Sequence, residues 1–307
     1  MRGLEEARAF FEAYGQNMLR ERFADYEGRI AVGLAGHGSE CFGFDDEASR
    51  DHDWERGFCL WLTEEDDRRI GVELNRAYRA LPLEKGTVRS GLSERNTGVR
   101  RISDFYRRYT GSSGAPEDWR HWMALPSYAL AEATNGQVWR DDLGAFSAIR
   151  EKLLHGMPED VRLKKLAARA AEMAQAGQYN YSRCLKHGEE GAAVLAAAEF
   201  VRAACGMIHL LNRAHMPYYK WMLRSLSRLE RLGDMAPALE FLLTGENDAA
   251  GQKTKAGVIE DLSARVIAEL RSQGLTDGGW DYLEPHAFEI MERIENPQIR
   301  ALHVMEG

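Results

Sequence analysis

The stretch Ile30-Ala-Val-Gly-Leu-Ala-Gly-His-Gly-Ser39 constrains the fold more than any other part of this chain. Its apolar run is short and is bounded by glycines. That pattern reads as a buried strand over Arg29–Leu34 rather than a helix. Gly36 and Gly38 then supply backbone freedom for a tight corner. Gly38 lets a backbone approach a phosphate, and Ser39 opens a helical turn whose unpaired N–H groups favour an anion.

A second feature follows twelve residues after Ser39, where Asp51-His-Asp53 leads toward the apolar run Phe58–Leu62. The residues from Asp51 to Leu62 read as a second strand. On a strand, carboxylates at i and i+2 point to one face. Two neighbouring carboxylates repel, and a divalent cation relieves the repulsion. Mg²⁺ suits the place, because it takes one or two carboxylates together with phosphate oxygens and water. A phosphate cradle beside such a metal site is what nucleotidyl transfer requires. His52 faces away from the pair and reads as a packing residue, and His37 as a loop histidine.

Elsewhere the first half mixes strands and helices. Leu4–Phe23 reads as an amphipathic helix ended by Gly28, and Glu64–Leu81 as another helix. Val99–Ile102 and Val138–Arg140 read as strands, and Ser103 as the cap of a helix over Asp104–Tyr109. Trp119–Glu132 has helical character interrupted by Pro126, and Asp141 and Asp142 read as a turn. Strand signals fade after Phe146. Pro158–Ala176, Gly191–Ala214, Pro217–Leu232 and Ala256–Gln273 carry helical periodicity, with Pro217 opening a helix and Gly274 closing one. The shift places a domain boundary near 145, separating 1–145 from 146–307. Gly245–Lys255 reads as a linker.

Composition bounds the function. The chain has 307 residues, 44% hydrophobic and 29% charged, with a net charge of −8. Such a chain can build one large or two ordinary cores. Its acidity argues against a nucleic-acid backbone as partner, and Arg100-Arg101, Arg107-Arg108 and Lys164-Lys165 read as solvated faces. The Ile30–Ala35 run is too short to span a bilayer, and Met1–Arg8 lacks the apolar region of a secretory signal, so no membrane is expected. Four cysteines, at 41, 59, 184 and 205, lack zinc spacing and fit reduced thiols in a cytoplasmic protein. Cys59 reads as a core residue.

Gly-Ser, a variable loop, then Asp-x-Asp leading into an apolar strand resembles the polymerase-beta-type nucleotidyltransferase superfamily. The segment Gly38–Asp53, together with Asp104–Gly111, Val138–Gly144 and Pro217–Trp221, is similar to an uncharacterised bacterial domain-of-unknown-function family within that superfamily. The likeness covers roughly residues 5 to 230. It implies an α+β fold, with a small mixed sheet followed by an all-α helical-bundle domain. It also implies a third acidic ligand on a neighbouring strand. Val99–Ile102 offers Arg100 and Arg101 there, which leaves Glu94, Asp45 and Asp46 as substitutes. Lys220 reads either as a cation reaching a triphosphate from the helical domain, as the resemblance suggests, or as a solvated lysine.

The expected activity is metal-dependent transfer of an NMP, AMP from ATP foremost, onto a hydroxyl of a small molecule or protein. Asp51 and Asp53 hold Mg²⁺, and Gly38, Ser39 and Lys220 bind the nucleotide. The acceptor is left open. The alternative is a non-catalytic nucleotide-binding or toxin–antitoxin-type interaction module. Arg202 and His209 also match the loose spacing of HEPN-type ribonucleases, though their neighbours read as an ordinary core helix.

Overall fold

A computed structural model describes residues 3–46, 57–82 and 97–307. Their backbone forms two compact units. The first holds Met1–Glu117 with Ala129–Gly156, and the second holds Asp118–Tyr128 with Met157–Gly307. The architecture is α+β, with an N-terminal helix, a small mixed sheet and a helical C-terminal region.

In the first unit the sheet has four strands: β1 (Ala31–Leu34), β2 (Cys59–Leu62), β3 (Gly98–Arg101) and β4 (Gln137–Arg140). Their order is β3-β2-β1-β4. The β2/β3 pair is parallel and the other two pairs are antiparallel. Every residue of β1 and β2 is buried, while β3 and β4 lie at the edges and keep partial exposure. Burial on both faces explains why the central strands read as apolar runs, and the arginines of the outer strands fit sheet edges.

One face of the sheet presents Val32, Leu60 and Leu62 to a core built by Phe10, Phe11, Met18, Leu19, Leu74 and Tyr78. The N-terminal helix runs as Gly3–Phe10, a π-turn Phe11–Gly15 and Gln16–Arg22. A β-carbon on Gly15 would lie 2.5 Å from the Phe11 ring and 2.6 Å from that of Phe58, so glycine lets those rings close over the helix. The helix ends at Arg22, and Gly28 lies within the following 3-10 segment Ala24–Arg29 rather than at its end.

On the opposite face Trp61 stacks on Phe146 with ring centroids 4.0 Å apart and meets Phe105 edge-on at 5.5 Å. The Tyr106 hydroxyl donates to Phe146 O at 2.9 Å. Phe146 sits in the helix Ala145–His155. That aromatic packing draws the whole helix into the first unit.

The expected helix after β2 forms as Glu64–Asp66, a π-turn Asp67–Gly71 and Val72–Arg79. Thr63 caps it by accepting from Asp66 N, and the buried Asp66 pairs with Arg29 Nε at 2.8 Å. The helix after β3 starts at Ile102 rather than beyond Ser103, whose hydroxyl donates instead to Glu64. Pro126 separates Trp119–Ala124 from Ser127–Thr134, as expected.

In the second unit, Glu159–Met173 packs on Glu190–Leu211 and on Leu283–Glu292. Glu190–Leu211 is, among the described residues, a helix long and apolar enough to cross a membrane by length and composition. Here Phe200, Val201, Ala204, Cys205, Met207 and Ile208 are buried inside the unit, which is the packing of a core helix.

Several local expectations change. The segment 245–255 is not a free linker. Asp248 accepts from Gly251 N and starts the helix Ala249–Ser272. An aspartate N-cap explains why a polar, glycine-containing stretch turns helical. Pro217 precedes the helix Tyr219–Leu226 rather than opening it. Gly274 does close its helix in the left-handed conformation, with Leu275 N donating to Leu270 O at 2.9 Å. Lys164 and Lys165 are not a solvated pair. Lys164 Nζ donates to Val304 O at 3.0 Å and to Glu306 O, and Lys165 Nζ donates to Met123 O at 3.1 Å. Burial lowers both amines to about 8.

Candidate functional site

The glycine corner stands at the end of β1. Gly36 and Gly38 take φ of 116° and 121°, a region that side-chain-bearing residues rarely enter. Ser39 then begins the short helix Ser39–Phe42. Gly43, at φ 63°, closes it, with Gly43 N donating to Glu40 O at 3.0 Å and Phe44 N to Ser39 O at 2.9 Å. The strand, the corner and the helical turn are thus as the sequence predicts.

What holds the corner comes from far along the chain. Gly36 N donates to Asn135 Oδ1 at 2.8 Å, and Asn135 Nδ2 donates back to Gly36 O at 2.7 Å. The next residue adds a backbone bond, Gly136 N to Cys41 O at 2.8 Å. A β-carbon on Gly136 would lie 2.0 Å from Leu34 O, so only glycine permits this approach. His37 N donates to the Tyr109 hydroxyl at 3.2 Å. Burial raises the Tyr109 phenol well above its ordinary range, so it stays neutral. Asn135 and Tyr109 are the supports that sequence reasoning missed. The Asn135-Gly136 dipeptide just before β4 is a local signal for the first of them, and Tyr109 has none.

The corner also carries a carboxylate. A β-carbon on Gly38 would lie 2.4 and 2.6 Å from the two carboxylate oxygens of Glu40, so that group lies directly against the Gly38 backbone. Gly38, Ser39 and Glu40 are all partly exposed. A carboxylate here opposes an approaching phosphate unless a cation stands between them. The described residues therefore offer backbone amides and one acid of the kind a Mg²⁺–phosphate pair uses.

Asp51 and Asp53, the expected metal ligands, lie outside the described residues, as do His52 and Glu94. Among the described residues no group of three or more His, Cys, Asp or Glu side chains is arranged to hold a metal ion. Asp45, one substitute for the third acid, accepts from Gly3 N at 2.8 Å and so anchors the N-terminal helix. On β3, Arg101 pairs with Asp104 at 2.7 Å and with Glu64 at 3.1 Å. Asp141 accepts from Ser147 N at 2.7 Å and Asp142 pairs with Arg140, which are turn roles.

Lys220 belongs to the second unit, whereas Gly38 and Ser39 belong to the first. It is exposed, and its Nζ lies over the Trp221 ring at 5.0 Å from the centroid. The Arg202 and His209 pair does not converge. Arg202 is exposed and bound to Glu199, while His209 is buried. His209 Nδ1 donates to Cys205 O at 2.7 Å and its Nε2 accepts from the Ser225 hydroxyl at 3.0 Å. Burial lowers this imidazole to about 4. It is a core histidine, and the ribonuclease reading has no site. The four cysteines carry free thiols, and burial pushes the Cys59 thiol up to about 12.

A family model described as a domain of unknown function, DUF4037, matches residues 122–222. The match takes in Val138–Gly144 and Pro217–Trp221 and leaves the glycine corner outside it. No curated protein matches the chain.

Proposed function

We propose that the chain transfers an NMP, AMP from ATP foremost, onto a hydroxyl of a small molecule or protein, and that it does so in the cytoplasm. The observation that carries this reading is the corner itself. Two glycines at positive φ end a buried central strand, Asn135 clamps the first of them, Gly36, and Gly38 and Ser39 are partly exposed. Backbone amides fixed in this way face an anion with little reorganisation.

In this reading the Gly38 and Ser39 amides orient the phosphates. Asp51 and Asp53 would hold Mg²⁺, and Glu40 is a further acid beside Gly38. The bound ion would neutralise charge on the phosphate oxygens. Lys220 is the candidate cation from the helical unit. The acceptor oxygen attacks the α-phosphorus in line and pyrophosphate departs. The gain in rate comes from positioning and electrostatics.

One observation favours the alternative, a nucleotide-binding or toxin–antitoxin-type module without transfer. The β3 strand presents arginines where a third acid is expected, and Arg101 is held by Glu64 and Asp104. Calorimetry with ATP and Mg²⁺, followed by pyrophosphate release over an acceptor panel, separates the two. Transfer predicts turnover in the native chain that Asp51→Asn with Asp53→Asn abolishes. Binding without release for every acceptor selects the module, and undiminished turnover in the double variant refutes the assigned site.

A further inference from the structure

The second unit carries three contiguous aromatic rings on its surface. Tyr128, Tyr218 and Tyr219 are 45%, 49% and 68% exposed. Tyr128 meets Tyr218 at 6.0 Å between centroids, and Tyr218 meets Tyr219 at 4.2 Å. Large rings usually gain stability by burial, so a touching exposed group marks a contact surface. Cations follow the rings directly in the chain. Lys220 Nζ and Arg224 Cζ lie 5.0 and 5.8 Å from the ring centroid of the neighbouring Trp221.

The loop that presents these rings is held in place. Arg213 takes a φ of 52°, a left-handed conformation unusual outside glycine. Met216 N donates to the Ser127 hydroxyl at 2.7 Å, which ties the loop to the residue beside Tyr128. The rings are thereby prearranged.

Charge selects the partner. The whole chain is acidic, yet the sequence between Glu199 and Glu230 holds five cations and no carboxylate. Arg202 pairs with Glu199 and Arg213 with Glu159, acids at the start of this stretch or outside it. Rings interleaved with cations in an acid-free stretch suit a chain of planar bases joined by phosphates.

We propose that this face binds single-stranded nucleic acid. Bases stack on Tyr128, Tyr218 and Tyr219, and phosphates lie along Lys220 and Arg224. A duplex keeps its bases stacked internally and cannot offer them to the rings. A mononucleotide offers one base to three rings. The proposal does not depend on the transfer reaction above. Lys220 is common to both, so the test rests on the tyrosines and Arg224.

The test is fluorescence anisotropy with a labelled single-stranded RNA of about 12 nucleotides, long enough to offer several bases to the three rings. The native chain should bind saturably and more tightly than it binds the same sequence as a duplex. Tyr218→Ala with Tyr219→Ala should weaken binding by about tenfold or more, while the double Phe variant, which keeps the rings, should bind as the native chain does. Arg224→Gln should flatten the salt dependence by about one phosphate contact. Circular dichroism checks that the variants are folded. No saturable binding by the native chain overturns the proposal, as does native affinity in a folded double Ala variant. Equal affinity for duplex and single strand also overturns it. Complete displacement of RNA by ATP at equal phosphate concentration overturns it too, and reassigns the face to a mononucleotide. Loss of ATP turnover in the aspartate variants, with RNA binding retained, is compatible with it.

Discussion

Asn135→Ala is the most direct test of how the corner is built. It removes two hydrogen bonds, Gly36 N to Oδ1 at 2.8 Å and Nδ2 to Gly36 O at 2.7 Å. Gly36 is buried, so its peptide groups do not recover water for free. A hydrogen bond contributes about 0.5–1.5 kcal/mol net, and a buried group left without a partner costs about 1–3 kcal/mol. Together these place the loss at about 2–4 kcal/mol, a large share of the roughly 5–15 kcal/mol that stabilises a typical protein. Urea denaturation should show a lower midpoint with an unchanged m-value.

Asn135→Asp sharpens the test. Its carboxylate still accepts from Gly36 N, but its other oxygen meets Gly36 O, acceptor against acceptor. Only the protonated acid restores the missing donor. Folding therefore raises the pKa of the new carboxyl above its ordinary value of about 3.9. The deficit is full above that raised pKa and shrinks as pH falls through it toward the unfolded value. A loss below about 0.5 kcal/mol in the Ala variant, or an Asp deficit unchanged between about pH 7 and pH 4, would refute the clamp.

Two further outcomes follow from the packing. Gly33→Ala would put a β-carbon 2.2 Å from Gln137 O and 3.0 Å from Val138 Cα, both backbone atoms of β4. The variant should lose about 2 kcal/mol or more in urea denaturation, and a native midpoint would contradict the strand pairing. Buried neutral His209, its pKa lowered to about 4, contributes stability that is fully present above the ordinary histidine value. That contribution, on the order of 3 kcal/mol, is lost as pH falls from about 6.5 toward about 4. His209→Gln should flatten this part of the midpoint-against-pH curve, and equal slopes in both proteins would show that His209 is not buried neutral.

The central strand and the glycine corner were legible because their signals are local. An apolar run bounded by glycines specifies a buried strand, and Gly-x-Gly-Ser specifies a corner followed by a helical turn. Both form as read, at Ala31–Leu34 and Ser39–Phe42. The helical character of the second half was equally plain from periodicity. Its capping was less so. Asp248 turned an expected linker into the start of the long helix Ala249–Ser272, and Ala236–Thr244 and Leu283–Glu292 went unanticipated. An N-cap acts through one side chain and changes composition very little.

The sequence by itself determined the class of fold, the glycine corner and the residue types around it, because steric limits on φ and the burial of alternating or continuous apolar runs act over a few residues. The tertiary structure alone decided what braces that corner and where the units part. Asn135 reaches Gly36 across 99 residues of chain, and Phe146 joins the first unit by stacking on Trp61. Lys164, unremarkable as a charged helical residue, becomes a buried donor to backbone carbonyls. Such pairings are set when distant segments share a core, and no pattern of neighbouring residues encodes which segments will meet.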